Sequence, residues 1–313
     1  MIIWGMSGKG HDASLTVWDD HRLIYEAYTR DKTHHKLLKR DFISVSKNYR
    51  PDLVVWYENP YTKALRQLWA RQSKPFSRNN VSKYLKDLGL NTKWTYVQHH
   101  KAHAAHYYQS EWNDAVIVVI DSIGEWDCTS VWHGVKDNLY KMGSQRYPDS
   151  LGLFYSSMVK EAGMKPQKDE AAFESLGSIG MTNVRLLKEL EDNLIISNDP
   201  WRPVFSYNLH KGAGGDYEHY NQVEIASSTQ YLFEEMVLKV VKHWTKKLKC
   251  KNVILSGGCA FNRGVRLKIQ DAGFKLWVPD NPGDGGSAKS CVLAYFGKKT
   301  GFDISPNEIG VDT

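Results

Sequence analysis

The chain has 313 residues, 42% of them hydrophobic and 24% charged, with a formal net charge of +6. That is an ordinary composition for a soluble globular protein, long enough for one large domain or two lobes with proper cores. The longest strongly apolar run, Ala115 to Ile120, is far too short to span a membrane, and Cys128, Cys250, Cys259 and Cys291 lack zinc-finger or redox spacing. Residues 1–5 run straight into a strand-like pattern with no signal-peptide layout, so a cytoplasmic protein without a membrane partner is expected.

Residues 2–5, 13–18 and 23–28 read as three short strands, with Gly8, Gly10 and the Asp19-Asp20 pair supplying turn chemistry. Residues 36–49 have a helical pattern, 53–57 (LVVWY) form a buried strand, and a short strand at 94–98 feeds a helix over 99–109. This order resembles a ribonuclease-H-like unit. The pattern then restarts. Residues 115–121 (AVIVVID) make an apolar strand ending in a carboxylate, with further strands at 128–133 and 139–144 and a helix at 151–162. A long helix at 224–248, a strand at 253–256, a helix at 262–272, a strand at 275–278 and a helix at 286–296 complete the second unit. Residues 166–220 are the least regular stretch, and 211–216 (KGAGGD) reads as a mobile loop. The expectation is two lobes around a cleft, 1–110 and 111–313, with the last helix free to return to the first lobe.

His99, His100, His103 and His106 crowd one short stretch. On a helix, His99 and His103 are one turn apart and face the same way, so two imidazoles can bind one metal. The zinc-protease pattern needs Glu after the first histidine; His100 stands there, which excludes it. A third ligand is needed. Asp121 ends a buried strand, and Asp284 sits in a glycine loop opening a helix. Two histidines with carboxylates and open positions suit iron(II), with manganese or zinc as alternatives. The pair alone also fits a histidine-rich surface helix with capping acids.

Other stretches add to the pair. Gly10-His11-Asp12-Ala13-Ser14, Tyr57-Glu58-Asn59-Pro60, His99 to Tyr108, Ile120-Asp121-Ser122-Ile123-Gly124-Glu125-Trp126, Ser150 to Tyr155, Leu255 to Asn262, and Asp284 occur in that order. Together they resemble the motifs of the nodulation-protein-U-type carbamoyltransferases, which include the antibiotic O-carbamoyltransferases. The resemblance implies a bilobal actin-like ATPase fold built from two ribonuclease-H-like lobes. It implies a metal held by His99, His103, Asp121 and Asp284. It also implies ATP, ADP or a carbamoyl-adenylate between the lobes, beside Gly8, Gly10, Gly124, Ser256, Gly257, Gly258 and Asn262. Glycines there would let backbone N–H groups approach phosphates closely.

The implied reaction moves a carbamoyl group, from carbamoyl phosphate or carbamoyl-adenylate, to an acceptor hydroxyl. Asp12 or His11 would take the proton, and Arg30 and Lys32 would hold the anionic leaving group. The family's second domain makes the adenylate, which suggests a separate adenylate-forming partner protein. Two departures bear on the donor and acceptor. The family's basic stretch is reduced to Arg30 and Lys32, and Ala172 to Gly180 replaces a segment that carries a lysine.

The acceptor is addressed by residues 61–94. Lys63, Arg66, Arg71, Lys74, Arg78, Lys83, Lys86 and Lys93 face the single acid Asp87, with Tyr61, Trp69, Phe76, Tyr84 and Trp94 interleaved. Such a segment suits phosphates and stackable bases, with Trp69 or Tyr84 stacking, and points to a hydroxymethylated pyrimidine (hydroxymethylcytosine) in a nucleotide or DNA. The alternatives are a sugar or antibiotic hydroxyl, a pair of solvated amphipathic helices, and a non-catalytic nucleotide-binding regulator.

Overall fold

The computed structural model describes residues 1–10, 12–29, 45–197, 199, 201–299 and 308–311. Strands β1 (Ile2–Ser7), β2 (Ala13–Asp19) and β3 (Arg22–Thr29) form an antiparallel meander. β4 (Leu53–Trp56) joins β1 in parallel, and β5 (Lys93–Tyr96) joins β4. Between β4 and β5 lie helices α1 (Pro60–Trp69), α2 (Pro75–Arg78) and α3 (Val81–Asp87). After β5 comes α4 (His99–Ala104), which tightens into a 3-10 turn over Ala105–Gln109.

The second half repeats this plan. β6 (Asp114–Gly124), β7 (Asp127–Val135) and β8 (Asn138–Arg146) form the meander. Helices α5 (Leu151–Glu161), α6 (Glu170–Ile179), α7 (Val184–Asn193) and α8 (Gln222–Leu248) follow. β9 (Asn252–Ser256) then joins β6 in parallel, α9 (Arg263–Asp271) crosses over, and β10 (Lys275–Trp277) joins β9. Helix α10 (Ser287–Phe296) and strand β11 (Glu308–Val311), paired with β3, end the fold. The strand orders are β11-β3-β2-β1-β4-β5 and β10-β9-β6-β7-β8. Apart from β11, both sheets have the third-second-first-fourth-fifth order of a ribonuclease-H-like unit, as the restart in the sequence predicts.

The apolar run of β6 explains how the sheets share a core. Its side chains alternate, as strand geometry requires. Val116, Val118 and Ile120 face one cluster with Phe154 and Met158 of α5 and Phe233, Val237 and Trp244 of α8. Ala115, Ile117 and Val119 face a second cluster, which holds Trp4, Trp18 and Trp56 of the first sheet. Ala102 and Ala104 of α4 and Val292 of α10 lie in that second cluster, so these helices pack between the sheets. Close approach is built in at Gly5, where a Cβ would fall 1.9 Å from the Ala288 carbonyl oxygen. The Thr16 hydroxyl donates to that same oxygen.

Residues 166–220 are more regular than their sequence predicts. Asn183 caps α7 by accepting from the Arg185 and Leu186 amides. Helix α6 carries Gly177, where a Cβ would lie 2.9 Å from Gln230 Cβ and 3.0 Å from the Ala226 carbonyl oxygen. The glycine is what lets α6 cross α8 closely. The 211–216 loop is held at its start by Asn208, which accepts from the His210 and Lys211 amides, and by Glu161, which accepts from the Ala213 amide. Among the described residues no helix is long and apolar enough to cross a membrane.

Candidate active site and metal centre

Both central strands point their carboxyl ends at one place. β6 ends in Asp121. Helix α4 begins at His99 without a side-chain cap of its own. Glu125, in the turn after β6, serves instead: its carboxylate accepts from the His99 amide at 3.1 Å and also from the Asn59 amide at the head of α1. Burial lifts the Glu125 carboxyl to about 7, against the opposing pull of these two amides. Gly124 faces the imidazoles; a Cβ there would sit 2.3 Å from His99 Cδ2.

The loop before α10 brings in Asp284. Its backbone oxygen accepts from the Ser7 hydroxyl at 3.2 Å and the Ser14 hydroxyl at 3.4 Å. The Pro282 carbonyl accepts from the Gly257 amide and the Ser256 hydroxyl, which ties the loop to β9.

These supports bring one donor atom from each of His99, His103, Asp121 and Asp284 within 4.8 Å of one another. His99 Nε2 lies 3.1 Å from Asp121 Oδ2 and 3.4 Å from Asp284 Oδ1. His103 Nε2 lies 3.1 Å from His99 Nε2, 3.5 Å from Asp121 Oδ2 and 3.2 Å from Asp284 Oδ1. Five of the six separations among these donors are 3.1–3.5 Å, so a point shared by all four lies roughly 2 Å from each, near the usual distance of a metal from imidazole or carboxylate. Asp284 Oδ1 is buried without a hydrogen-bond partner. The donor set therefore fits a divalent cation in both spacing and chemistry.

The electrostatics agree. Burial alone would lower both imidazole pKa values. For His99 the Asp284 charge and the Asp121 hydrogen bond outweigh it, and the pKa rises. For His103 the facing Asp121 and Asp284 carboxylates raise it to about 9. The two carboxylates are buried, but the facing histidines keep them below the ordinary range. His100 and His106 differ: burial drives both well below the ordinary imidazole value. His100 turns away to Ser130, with Nδ1 at 2.8 Å from the hydroxyl oxygen.

The centre opens into a cleft of about 410 Å³ lined by Asp12, Asp121, Gly258, Asn262 and Asp284, among others. Asn262 caps α9 through the Val265 amide and exchanges two amide hydrogen bonds with Gln230. The other proposed nucleotide positions do not line this cleft. Gly8 faces Tyr84, and Gly10 faces Tyr57 with Asp284 beyond. Gly124 packs on His99. Ser256 is buried, and Gly257 has φ +88 with no room for a Cβ beside the Ile120 carbonyl. His11, Arg30 and Lys32 lie outside the described residues. Sequence reasoning missed Gln167, Lys168, Glu170 and Glu174, which also line the cleft. Gln167 and Lys168 lie just before α6 and Glu170 and Glu174 within it, and the start of that helix was hidden in the irregular stretch.

Residues 61–94 form an outer face rather than a cleft wall, and none of them lines the cleft. Tyr61, Trp69 and Phe76 are 56%, 60% and 50% exposed. Tyr84 instead packs edge-on against Trp56, so of the two expected stacking rings only Trp69 is presented to solvent. Trp69 reaches the second sheet, contacting Trp126 at 5.7 Å and Tyr147 at 5.9 Å between ring centres.

Comparison with known proteins adds the family. The model described as Carbamoyltransferase N-terminus matches residues 57–292, most of the chain. The chain belongs to the carbamoyltransferase N-terminal family. An uncharacterized protein of Methanocaldococcus jannaschii is 25% identical over 91% of the chain and 56% of its own length. One from Synechocystis sp. is 25% identical over 94% of the chain and 57% of its own length. The chain thus spans a little over half the length of these curated relatives. In fold it is similar to component A of the Acidaminococcus fermentans (R)-2-hydroxyglutaryl-CoA dehydratase, at 12% identity and TM-score 0.56, covering 95% of this chain and 99% of that one. HypF from T. kodakarensis is similar at 12% identity and TM-score 0.52, covering 95% of this chain and 47% of that one. A full-length HypF in a phosphate- and nucleotide-bound form gives 14% identity, TM-score 0.52, and coverage of 94% and 46%. The fold is the bilobal actin-like ATPase fold.

Proposed function

We propose that the chain is the transfer domain of an O-carbamoyltransferase, working where His99, His103, Asp121 and Asp284 meet the cleft. The observation that carries this is the convergence of those four donors in a carbamoyltransferase-family chain. We read residues 1–110 and 111–313 as the two lobes that close on the substrates, α10 belonging by its packing with the first.

Iron(II) or another divalent ion bound there would supply positive charge to carbamoyl or phosphate oxygens. An anionic substrate needs such help, because the cleft is otherwise acidic: Asp12, Glu170 and Glu174 join the two ligand carboxylates, against Lys168. The acceptor oxygen forms its bond to the carbamoyl carbon, the carbon–oxygen bond to phosphate breaks, and phosphate leaves with the electron pair. Asp12, in the cleft wall, is placed to take the hydroxyl proton. His11 remains the alternative base, and Arg30 and Lys32 remain candidates to hold the leaving group. Lys168 supplies a cation within the cleft, near the segment where the family lysine is missing.

ATP, ADP or carbamoyl-adenylate would lie on Gly258 and Asn262, a reading supported by the nucleotide-bound form of a structural neighbour. A separate adenylate-forming partner protein is the source of adenylate we propose, resting on the family resemblance alone. The acceptor we favour is a hydroxymethylated pyrimidine in a nucleotide or DNA, because of the basic face with exposed Tyr61, Trp69 and Phe76. A sugar hydroxyl or a regulatory role are the competing outcomes. The test is mass spectrometry of hydroxymethylcytosine DNA, the free nucleotide and sugar alcohols after incubation with carbamoyl phosphate and ATP. Gain of one carbamoyl group by the nucleotide or DNA supports the reading. Gain only by a sugar removes its acceptor half, and no gain anywhere removes both.

A further inference from the structure

Beside the cleft lies a smaller chamber of about 140 Å³. The two share a wall, since Ser122, Ser156 and Gln167 line both. Ser122 directly follows the ligand residue Asp121, so the chamber adjoins the transfer centre. Its chemistry is opposite to that of the cleft. Lys160, His210 and Lys211 line it, and no carboxylate does.

The cations stand on an ordered frame. Lys160 is in the last turn of α5. The neighbouring Glu161 is turned aside to hold the Ala213 amide. Asn208 accepts from the His210 amide through its side chain and from the Lys211 amide through its backbone. The Asn208 amide group also donates to the Tyr147 hydroxyl at 2.8 Å. On the shared wall, the Ser156 hydroxyl donates to Glu170, which draws that carboxylate to the cleft side.

The chamber also lies on the route from the basic face. Tyr147 is 6.4 Å from His210 and 5.9 Å from Trp69 between ring centres. Helix α1 therefore leads through Trp69 and Tyr147 to the chamber rim, and the chamber leads to the cleft. This answers how residues 61–94 can serve an acceptor without lining the cleft.

We propose that the chamber is a phosphate subsite, taking the phosphate of a nucleotide acceptor while its base reaches the cleft. Two lysines and no acid select a compact anion. This rests on the carbamoyltransferase reading of the cleft. The phosphate of carbamoyl phosphate has the same chemistry, and the experiment separates the two sources.

The variant is Lys160→Ala with Lys211→Ala in the full chain; both side chains are exposed, and an unchanged thermal melt checks the fold. Calorimetry with inorganic phosphate comes first, because it does not depend on any transfer activity. Losing two charge-assisted contacts should weaken phosphate binding by about tenfold or more. Unchanged phosphate binding overturns the subsite. Next, KM is measured for hydroxymethyl-deoxycytidine monophosphate, for the nucleoside without phosphate, and for carbamoyl phosphate. The expected result is a rise for the monophosphate alone. A rise for carbamoyl phosphate instead makes the chamber the donor's site and overturns the acceptor assignment. If wild type transfers to no acceptor, the function reading fails, while the calorimetry still decides whether the chamber binds phosphate.

Discussion

Apart from β11 the two sheets have the same strand order, and both central strands end beside the metal centre, yet their ends do different work. On β1 the last residue is Ser7, whose hydroxyl pairs with Ser14 at 2.9 Å and reaches the Asp284 backbone oxygen. On β6 the strand delivers Asp121, whose carboxylate faces two imidazoles. One sheet end holds a loop in place and the other carries charge. Matching topology therefore does not mean matching chemistry: a duplicated fold offers two equivalent positions, and side-chain identity decides which becomes scaffold and which becomes site.

The largest effects should come from the charged end. His99→Ala, His103→Ala or Asp121→Asn should each strip the metal and lower transfer by roughly 10³-fold, the weight of several kcal/mol of charge stabilisation. Elemental analysis of the purified variants reads this directly. Full metal occupancy in the His103→Ala protein would sink the site. His100→Ala should do far less, since His100 is engaged with Ser130. Next comes Gly258→Val. A Cβ there would stand 3.2 Å from Asp121 Oδ1, and the added methyls would intrude on the cleft. Nucleotide affinity should fall by roughly 10²-fold, the cost of a steric clash of about 3 kcal/mol. Unchanged affinity in a folded variant would place the nucleotide elsewhere.

The same centre sets a pH dependence. In the metal-free protein His103 has a folded pKa of about 9, above its ordinary 6.5. Its ion pairing therefore stabilises the fold fully below about 6.5 and is lost as pH rises through about 9. Asp121 and Asp284 are held low, so their contribution is lost only on strong acidification. Metal binding needs neutral imidazoles, so metal affinity should rise across the range in which apo stability falls. Thermal melts of apo and metal-loaded protein between pH 6 and 9 check this; parallel curves would contradict it.

Much of this was legible in the sequence because the signals were local. The unbroken apolar run at 115–120 marks a strand buried on both faces, and four-residue spacing puts His99 and His103 on one helical face. The convergence of Asp284 with them was not local. It depends on a loop held by hydroxyls far away in sequence, and only the family resemblance supplied it. What each glycine is for was not legible: Gly177 lets α6 pack on α8, and Gly124 and Gly257 stand where a Cβ would strike the His99 ring or the Ile120 backbone. Lys168 and Glu170 were missed because they lie just before and at the head of α6, in a stretch whose sequence shows no clear helical pattern.

A smaller effect is expected on the outer face. Reversing charge at Arg71, Lys74 and Arg78 together should raise KM for DNA about tenfold and flatten its salt dependence by two to three phosphate contacts' worth, at a slope of about 0.9 each. KM for carbamoyl phosphate should not move. A triple variant that carbamoylates DNA as well as wild type would reduce this face to solvated helices.

The smallest effect should come from the β1 end, and it tests the contrast between the two sheet ends most sharply. In Ser7→Ala the Asp284 carbonyl keeps the Ser14 hydroxyl as a donor, and Ser14 still accepts from the Ala288 amide. Only one buried hydrogen-bonding group is lost, with no charge left unpaired. The cost should be about 1 kcal/mol of stability, with metal occupancy and transfer near wild type. Removing both hydroxyls, in Ser7→Ala with Ser14→Ala, leaves the carbonyl without either donor and frees the loop that carries Asp284. Metal affinity should then fall by about tenfold, the lower end for loss of a supporting contact, while His99, His103 and Asp121 stay in place. Loss of the metal from Ser7→Ala alone would show that β1 contributes to the site as directly as β6, and the contrast between scaffold end and charged end would not stand.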